Sequence, residues 1–283
     1  MAEYAHPEVL VSLDWLKQNL DKPGVRIVEV DVDPKLYAVG HIPGAVGFDW
    51  TTQLQDQVNR DIISKEAFEA LLRTAGIKNS DTVIIYGDAS NWFAAYGFWL
   101  FKIYGHKDVR LLNGGRAAWL NAAGAPLTPD VSKVTPSDYK VGKVDLSLRA
   151  YAPDVLAASK TKSEALVDVR SPDEFTGKVI APPGMSETAQ RGGHVPGAAS
   201  IPWSTAVNTE TGVFKSPDEL RSIYVEQKKL DPKKATIAYC RIGERSSHTW
   251  FVLTYLLGFP KVRNYDGSWT EYGNLLGAPI EKP

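Results

Sequence analysis

Short apolar runs alternate along the whole chain with longer stretches whose apolar residues recur at helical spacing. The runs "RIVEV" and "DTVIIYG" in the first half, and "ALVDV" and "ATIAYC" in the second, are short and mostly apolar, and each half closes with a further short strand, "VRLLNGG" or "VRNYDGS". Nearly continuous apolar runs are typical of strands buried on both faces of a parallel sheet. The intervening stretches "SKEAFEALLRTAG", "WFAAYGFWLFKIYG", "SPDELRSIYVEQ" and "SHTWFVLTYLLG" predict helices. Strands that alternate with helices predict an α/β fold with helices on both faces of each parallel sheet.

This pattern occurs twice. "GHIPGAVGFDW" at 40–50 returns as "GHVPGAASIPW" at 193–203, and the same offset of 153 aligns "VIIYG" with "TIAYC". A long register without gaps indicates duplication. Upstream, the offset between "RIVEVD" and "ALVDVR" is 139, so the second half carries fourteen additional residues in a loop rich in Pro and Gly. We expect two domains, residues 1–124 and 151–283, joined by a linker at 125–150.

Composition narrows the function classes. The net charge of −1 indicates no basic face for nucleic acid. The N-terminal residues are too polar for a signal peptide, and no apolar run reaches the length of a membrane span. A single cysteine excludes an internal disulfide and a cysteine-rich zinc site, which favours a cytoplasmic protein without a metal. His41 and His194 recur in both halves and are expected to hold the turn, while His248 is expected to pack against its neighbours or face solvent.

Cys240, the only cysteine, ends the "ATIAYC" run of the second half, and its counterpart in the first half is Gly87. The residue after it is Arg241, whose counterpart is Asp88. A free cysteine is most often a small buried apolar residue, but such a residue would be expected to have an apolar counterpart of similar bulk. We infer that the second half is catalytic and that the first half is inactive.

The residues after Cys240 form a candidate anion-binding loop, because ligand sites lie at the carboxyl ends of parallel strands. A glycine-containing turn into a helix can direct successive backbone N–H groups inward. The expected loop comprises Arg241, Ile242, Gly243, Glu244, Arg245 and Ser246, with Ser246 and Ser247 capping the helix. The backbone N–H groups of the loop and Arg245 favour the thiolate and Glu244 opposes it, so we expect the pKa of Cys240 to lie below the free value of about 8.5. We also expect Glu244→Gln to lower that pKa further.

The C-x4-R spacing of Cys240 and Arg245 is one residue shorter than the C-x5-R of cysteine phosphatases, which disfavours a phosphatase or an arsenate reductase. C-R-x-G-x-R at 240–245, "DVRSPDEF" at 168–175, the doubled G-H-x-P-G-A and "NYDGSW" at 264–269 together resemble the rhodanese family. The resemblance covers nearly the whole chain and is strongest to actinobacterial sulfurtransferases. It implies two tandem rhodanese-like domains, the first inactive and the second active.

The resemblance also implies a reaction. Sulfur would pass from thiosulfate to cyanide, or to a small or protein thiol, through a persulfide on Cys240, in a monomer that needs no cofactor. Relatives that use 3-mercaptopyruvate resemble C-G-x-G, whereas this chain has Arg241, which favours thiosulfate. A 3-mercaptopyruvate sulfurtransferase and a binding module without turnover remain as alternatives.

Four further residues are candidates around the site. Arg191 and Arg170 could bind substrate, and Trp269 could form a wall of the pocket. Asp168 is a candidate ion-pair partner for Arg241 that would hold the loop open. Glu174 stands where some related enzymes place a substrate-binding arginine, so other arginines would have to compensate for it.

Overall fold

The computed structural model describes residues 3–185 and 187–283, which form two units. One unit comprises Glu8–Asp145 with Thr209–Phe214. The other comprises residues 3–7 with Leu146–Asn208 and Lys215–Pro283. Each unit is built on a five-stranded parallel sheet. The α/β prediction and the predicted duplication are both confirmed by this architecture.

The sheet of the first unit has the strand order β1-β5-β4-β2-β3. Its strands are β1 (Leu10–Val11), β2 (Val25–Glu29), β3 (Ala45–Gly47), β4 (Thr82–Tyr86) and β5 (Val109–Leu112). Its helices are α1 (Leu13–Asn19), α2 (Leu36–Val39), α3 (Trp50–Gln53), α4 (Lys65–Thr74), α5 (Trp92–Ile103) and α6 (Gly115–Asn121), and short 3₁₀ helices lie at Pro7–Val9 and Ala89–Asn91.

The sheet of the second unit repeats that order as β6-β10-β9-β7-β8. Its strands are β6 (Arg149–Ala150), β7 (Ala165–Asp168), β8 (Ala199–Ser200), β9 (Thr236–Tyr239) and β10 (Val262–Tyr265). Its helices are α7 (Ala152–Thr161), α8 (Pro172–Phe175), α9 (Pro217–Arg221), α10 (Glu244–Phe251) and α11 (Ser268–Tyr272). The helices α9 and α10 continue as π-helical turns at Ser222–Gln227 and Val252–Leu256, and 3₁₀ helices lie at Leu146–Leu148 and Trp203–Ala206.

Serine side chains begin several of these helices. Ser64 accepts a hydrogen bond from the backbone of Ala67 at the start of α4. Ser171 and Ser216 do the same for α8 and α9. In both cases the side chain of the glutamate three residues later accepts a hydrogen bond from the backbone N–H of the serine. This reciprocal capping satisfies backbone N–H groups that a helix leaves without partners. Two of these helices, α4 and α9, lie in stretches predicted to be helical, whereas α8 lies at the start of the segment expected to be a loop.

The doubled G-H-x-P-G-A turn is built in the same way in both units. The Nδ1 atom of His41 lies 2.8 Å from the carbonyl oxygen of Tyr37, and the two rings stack. The Nδ1 atom of His194 lies 2.9 Å from the carbonyl oxygen of Phe175, and these rings also stack. Both histidines therefore hold the turn.

The central strand β9 positions the candidate site. All four of its residues are buried, and Tyr239 lies opposite Tyr265 of β10 and Asp168 of β7. Cys240 follows directly, at the carboxyl end of the middle strand, where open α/β sheets bind ligands.

Candidate active site

The loop after Cys240 is a tight turn into α10. The helix begins at Glu244, and Gly243 is its N-cap with φ of 106°, in the left-handed region. A Cβ atom on Gly243 would lie 2.8 Å from the Cβ atom of Asp266, so the position has neither the conformation nor the space for another residue. The loop geometry therefore depends on this glycine.

Ser246 and Ser247 lie in the first turn of α10, so the prediction that they cap the helix is wrong. The helix starts earlier than expected; the hydroxyl of Ser247 donates back to the carbonyl of Gly243 at 2.7 Å, and the hydroxyl of Ser246 lies 3.2 Å from the same oxygen. The hydroxyl of Ser246 also lies 2.6 Å from Oδ1 of Asn264, a buried residue of β10. Sequence reasoning missed Asn264. The available signal was its counterpart Leu111, because a buried amide replaces an apolar residue only where something needs it.

The start of α11 fixes the backbone of the cysteine. The N–H of Cys240 donates to the hydroxyl of Ser268 at 3.0 Å, and its carbonyl accepts the N–H of Trp269 at 3.0 Å. The carbonyl of Arg241 accepts the N–H of Thr270 at 3.0 Å. The "NYDGSW" motif thus supplies the groups that orient the nucleophile, and Ser268 is a further residue that sequence reasoning did not single out.

The sulfur of Cys240 has one backbone donor and one carboxylate close to it. The N–H of Gly243 donates to Sγ at 3.2 Å. The hydroxyls of Ser246 and Ser268 lie farther away, at 3.5 and 4.0 Å, and each has a shorter contact elsewhere. The thiol itself donates to Oε2 of Glu244 at 3.2 Å. The sulfur therefore faces an acceptor where the sequence predicts mainly donors.

The carboxylate of Glu244 occupies the place where the donors of the loop converge. Its Oε2 atom accepts the N–H of Ile242 at 3.3 Å. Its Oε1 atom lies 3.5 Å from Nη2 of Arg241 and 3.6 Å from Nε of Arg245. The residue is only 1% exposed. Glu244 is therefore the internal anion of this loop.

The pKa of Cys240 lies above its ordinary value, so the prediction of a low pKa is wrong. Burial raises the pKa of the thiol, and the carboxylate of Glu244 raises it further. Arg245 and the hydrogen bonds of Ser246 act in the opposite direction without offsetting those two effects. The resting site thus holds a neutral thiol.

Arg245 is paired with a glutamate of α8. Its Nη1 and Nη2 atoms donate to the two oxygens of Glu174 at 2.8 and 3.0 Å, and both residues are buried. Burial would raise the pKa of Glu174, but the hydrogen bonds from Arg245 hold it below its ordinary value. The two partners lie 71 positions apart, and the sequence gives no sign of the pair.

Arg241 is held by the additional segment of the second half. Its Nη1 atom donates to the carbonyl of Glu187 at 2.9 Å, and its Nη2 atom faces Glu244. Glu174 and Glu244 together match the two arginines, so the formal charge of this group is zero. The loop residues expected from the sequence do meet here, but their charges are balanced.

Asp168 pairs with Arg170 and not with Arg241, so that part of the prediction is wrong. Arg170 lies two residues further on and folds back, donating to Asp168 from Nε at 2.9 Å and from Nη2 at 2.6 Å. Its Nη2 atom also donates to the carbonyl of Gly193, and its guanidinium lies 4.4 Å from the ring of Trp269. Arg170 and Trp269 are both buried. They pack against each other in the interior, and the guanidinium is engaged by Asp168 and Gly193, so a substrate-binding role for Arg170 and Trp269 stays a prediction.

Arg191 holds the C-terminal segment and does not face the thiol loop. Its guanidinium donates to the backbone carbonyls of Tyr272, Gly273, Leu275 and Ala278 at 2.5–3.3 Å. Its own carbonyl accepts the indole N–H of Trp269 at 2.9 Å. These contacts give the guanidinium a structural role, and substrate binding by Arg191 stays a prediction.

The equivalent loop of the first unit is closed. The side chain of Asn91 accepts the N–H of Gly87 at 3.0 Å and donates to the carbonyl of Leu112 at 2.8 Å. A Cβ atom on Gly87 would overlap the carbonyl oxygen of Val30. The first unit therefore has no room for a nucleophilic side chain at the position of Cys240.

Two features are absent from residues 3–185 and 187–283. No helix among them is long and apolar enough to cross a bilayer. No group of three or more histidine, cysteine, aspartate or glutamate residues among them is arranged to hold a metal ion.

A comparison with known protein families identifies the family of this chain. The model of the rhodanese-like domain matches residues 12–122 and 152–275, one match for each half. The chain belongs to the rhodanese family. The family resemblance inferred from the motifs is thereby confirmed.

The relatives of this rhodanese align with nearly its whole length. A protein of Saccharopolyspora erythraea named "Putative thiosulfate sulfurtransferase" is 56% identical over 277 residues, which cover 98% of this chain and 97% of the relative. The "Sulfur carrier protein TtuD" of Thermus thermophilus is 54% identical over 283 residues, covering 99% and 98%. The crystal structure of SseA from Escherichia coli, a 3-mercaptopyruvate sulfotransferase, superposes with a TM-score of 0.79 at 25% identity, covering 92% of this chain and 98% of SseA.

Proposed function

We propose that this rhodanese is a thiosulfate sulfurtransferase that carries sulfane sulfur as a persulfide on Cys240. The observation that carries the proposal is the position of Sγ: it lies at the carboxyl end of the central strand, 3.2 Å from the N–H of Gly243, at the start of α10. Relatives whose names include thiosulfate sulfurtransferase, 51–56% identical over nearly the whole chain, support the same activity.

The geometry suits covalent catalysis by a thiol. The sulfur of Cys240 attacks the outer sulfur of thiosulfate, the bond to the central sulfur breaks, and sulfite leaves with the electron pair. The persulfide anion then lies beside the N–H of Gly243 and the start of α10, both of which favour negative charge. A thiophilic acceptor, cyanide or a thiol, removes the outer sulfur and restores the cysteine.

Arg241 supports thiosulfate as the donor. Its guanidinium is anchored to the carbonyl of Glu187 and reaches Glu244, which contacts the thiol. A cation fixed next to the nucleophile suits a compact dianion whose charge lies close to the transferred sulfur. The carboxylate of 3-mercaptopyruvate lies several bonds from its sulfur and has less use for a cation at this place.

The remaining expectations belong to the same proposal. The acceptor is cyanide or a small or protein thiol, the protein is a monomer in the cytoplasm, and turnover needs no cofactor or metal because the sulfur is carried on the chain itself. A lone cysteine that must stay reduced to react is consistent with a reducing compartment.

The test is intact-mass measurement after incubation with thiosulfate. We expect the protein to gain one sulfur atom and to lose it again when cyanide is added. Because Cys240 is the only cysteine, a cysteine-bound sulfur can be assigned without peptide mapping. Cys240→Ser is the matched control and should keep its mass and its fold, since serine is nearly isosteric but cannot form a persulfide. An unchanged mass of the wild type would favour a binding module without turnover.

A further inference from the structure

Glu244 has a position that sulfur transfer alone does not explain. Within the residues that the structure describes, it is the acceptor to which the thiol of Cys240 donates, at 3.2 Å. We propose that Glu244 is a catalytic residue that takes the proton of Cys240 when the persulfide forms, keeps it, and returns it when the sulfur leaves. This proposal rests on the sulfur transfer proposed above.

The carboxylate is held in place for such a role. The N–H of Ile242 binds the same oxygen that faces the thiol, and Arg241 and Arg245 flank the other oxygen. A general base must lie within hydrogen-bond reach of the proton that it removes, and this distance meets that condition. Cys240 and Glu244 are both buried, so bulk water is not in place to take the proton.

The loading step balances with this proton transfer. The proton of the thiol moves to an oxygen of Glu244, and the sulfur forms a bond to the outer sulfur of thiosulfate. The bond between the two sulfur atoms of thiosulfate breaks, and sulfite leaves as the dianion. The products are a persulfide anion on Cys240 and a neutral Glu244. When an acceptor anion removes the outer sulfur, the thiolate of Cys240 recovers the proton from Glu244.

The charge of the buried group stays constant through this cycle. At rest the negative charges are on Glu244 and Glu174, opposite Arg241 and Arg245. After loading, the persulfide carries the charge that Glu244 carried before. His248 on the same helix adds none, because burial lowers its pKa to about 3. A constant charge avoids the large cost of an additional buried ion.

If Glu244 takes no part in the proton transfer, its removal is expected to change the loading rate in the opposite direction. If Glu244 only repelled negative charge on the sulfur, its removal would make the thiolate easier to form and loading would become faster. If Glu244 accepts the proton, its removal slows loading, because the thiol must first lose its proton to solvent. General acid–base catalysis typically contributes about 10²- to 10⁴-fold.

The experiment measures the rate of sulfur gain from thiosulfate in a single turnover, by quenching and intact mass. We expect Glu244→Gln to load at least about tenfold slower than the wild type near neutral pH, and its rate to rise about tenfold per pH unit. The wild-type rate should stay flat between about pH 6 and pH 8, because the proton passes directly from the thiol to the carboxylate and none is exchanged with solvent. Glu226→Gln, an exposed glutamate of the same unit, is the matched control and should load like the wild type.

Equal or faster loading by Glu244→Gln would overturn the proposal. If that variant does not fold, the wild-type profile decides alone, since a rate that rises about tenfold per pH unit would mean simple ionisation of the thiol. Failure of the sulfur transfer itself is seen separately, as a wild type that gains no sulfur. In that case the same pH profiles for alkylation of Cys240 by iodoacetamide still test the proton transfer.

Discussion

The buried pair of Glu174 and Arg245 gives the sharpest stability prediction. Glu174→Gln keeps the volume of the side chain but removes the charge that faces the guanidinium. Removing one partner of a buried ion pair typically costs about 3–5 kcal/mol, because the other charge stays buried without compensation. Arg245 retains Glu244 at 3.6 Å, so we expect a loss near the lower limit, about 3 kcal/mol.

The assay is urea denaturation followed by tryptophan fluorescence, with the free energy of unfolding taken from the linear extrapolation. Glu164→Gln is the matched control. Glu164 contacts Arg263 at 2.7 Å, but these side chains are 22% and 24% exposed. Solvent screens such a pair, so the control should lose no more than about 1 kcal/mol.

The losses in the free energy of unfolding of the two variants test whether burial makes the Glu174–Arg245 pair important for stability. A loss of less than about 1 kcal/mol in Glu174→Gln would mean that the buried pair does not hold the loop in its place. Equal losses in Glu174→Gln and Glu164→Gln would also contradict the reasoning, because burial is the difference between them.

Three further predictions concern donor choice, acid sensitivity and the first unit. Arg241→Gly should lower kcat/KM for thiosulfate by about one to two decades, the worth of one charge-assisted hydrogen bond, and improve relative use of 3-mercaptopyruvate; a wild type that already prefers 3-mercaptopyruvate would contradict the donor assignment. His248 stays neutral in the folded chain down to about pH 3, whereas in the unfolded chain it takes up a proton near pH 6.5. Between pH 7 and pH 5 the wild type should therefore lose about 2 kcal/mol more stability than His248→Phe, measured by urea denaturation at both pH values; equal losses would refute this. Gly87→Cys should gain no sulfur from thiosulfate when combined with Cys240→Ser, and should melt at a lower temperature, because its Cβ atom would overlap the carbonyl oxygen of Val30; sulfur gain on that cysteine would show that the loop can open.

The sequence predicts the central strands and the long helices well, and the short outer strands of each sheet poorly. Periodicity places the long strands and helices, because they bury continuous apolar residues. The outer strands β1, β3, β6 and β8 have two or three residues each, which is too short for a period to be seen.

At the site, the comparison of the two halves finds Cys240 and the loop around it. It does not find the balance of charges, because the partner of Arg245 comes from α8 and is brought close only by the fold. The pKa of the thiol is missed for the same reason. Formal charges along the loop suggest a thiolate, whereas burial and the orientation of the Glu244 carboxylate favour a neutral thiol.

The contact between Arg241 and the additional segment has a consequence for how that segment can vary. The arginine is held by the main-chain carbonyl of Glu187 and not by its side chain. Every residue type offers the same carbonyl, so substitutions there should be tolerated as long as the backbone keeps its path. Insertions and deletions would move the carbonyl itself and release the arginine. Around position 187 the segment is therefore expected to be constrained in length and permissive in composition, which is the reverse of the constraint on most surface loops.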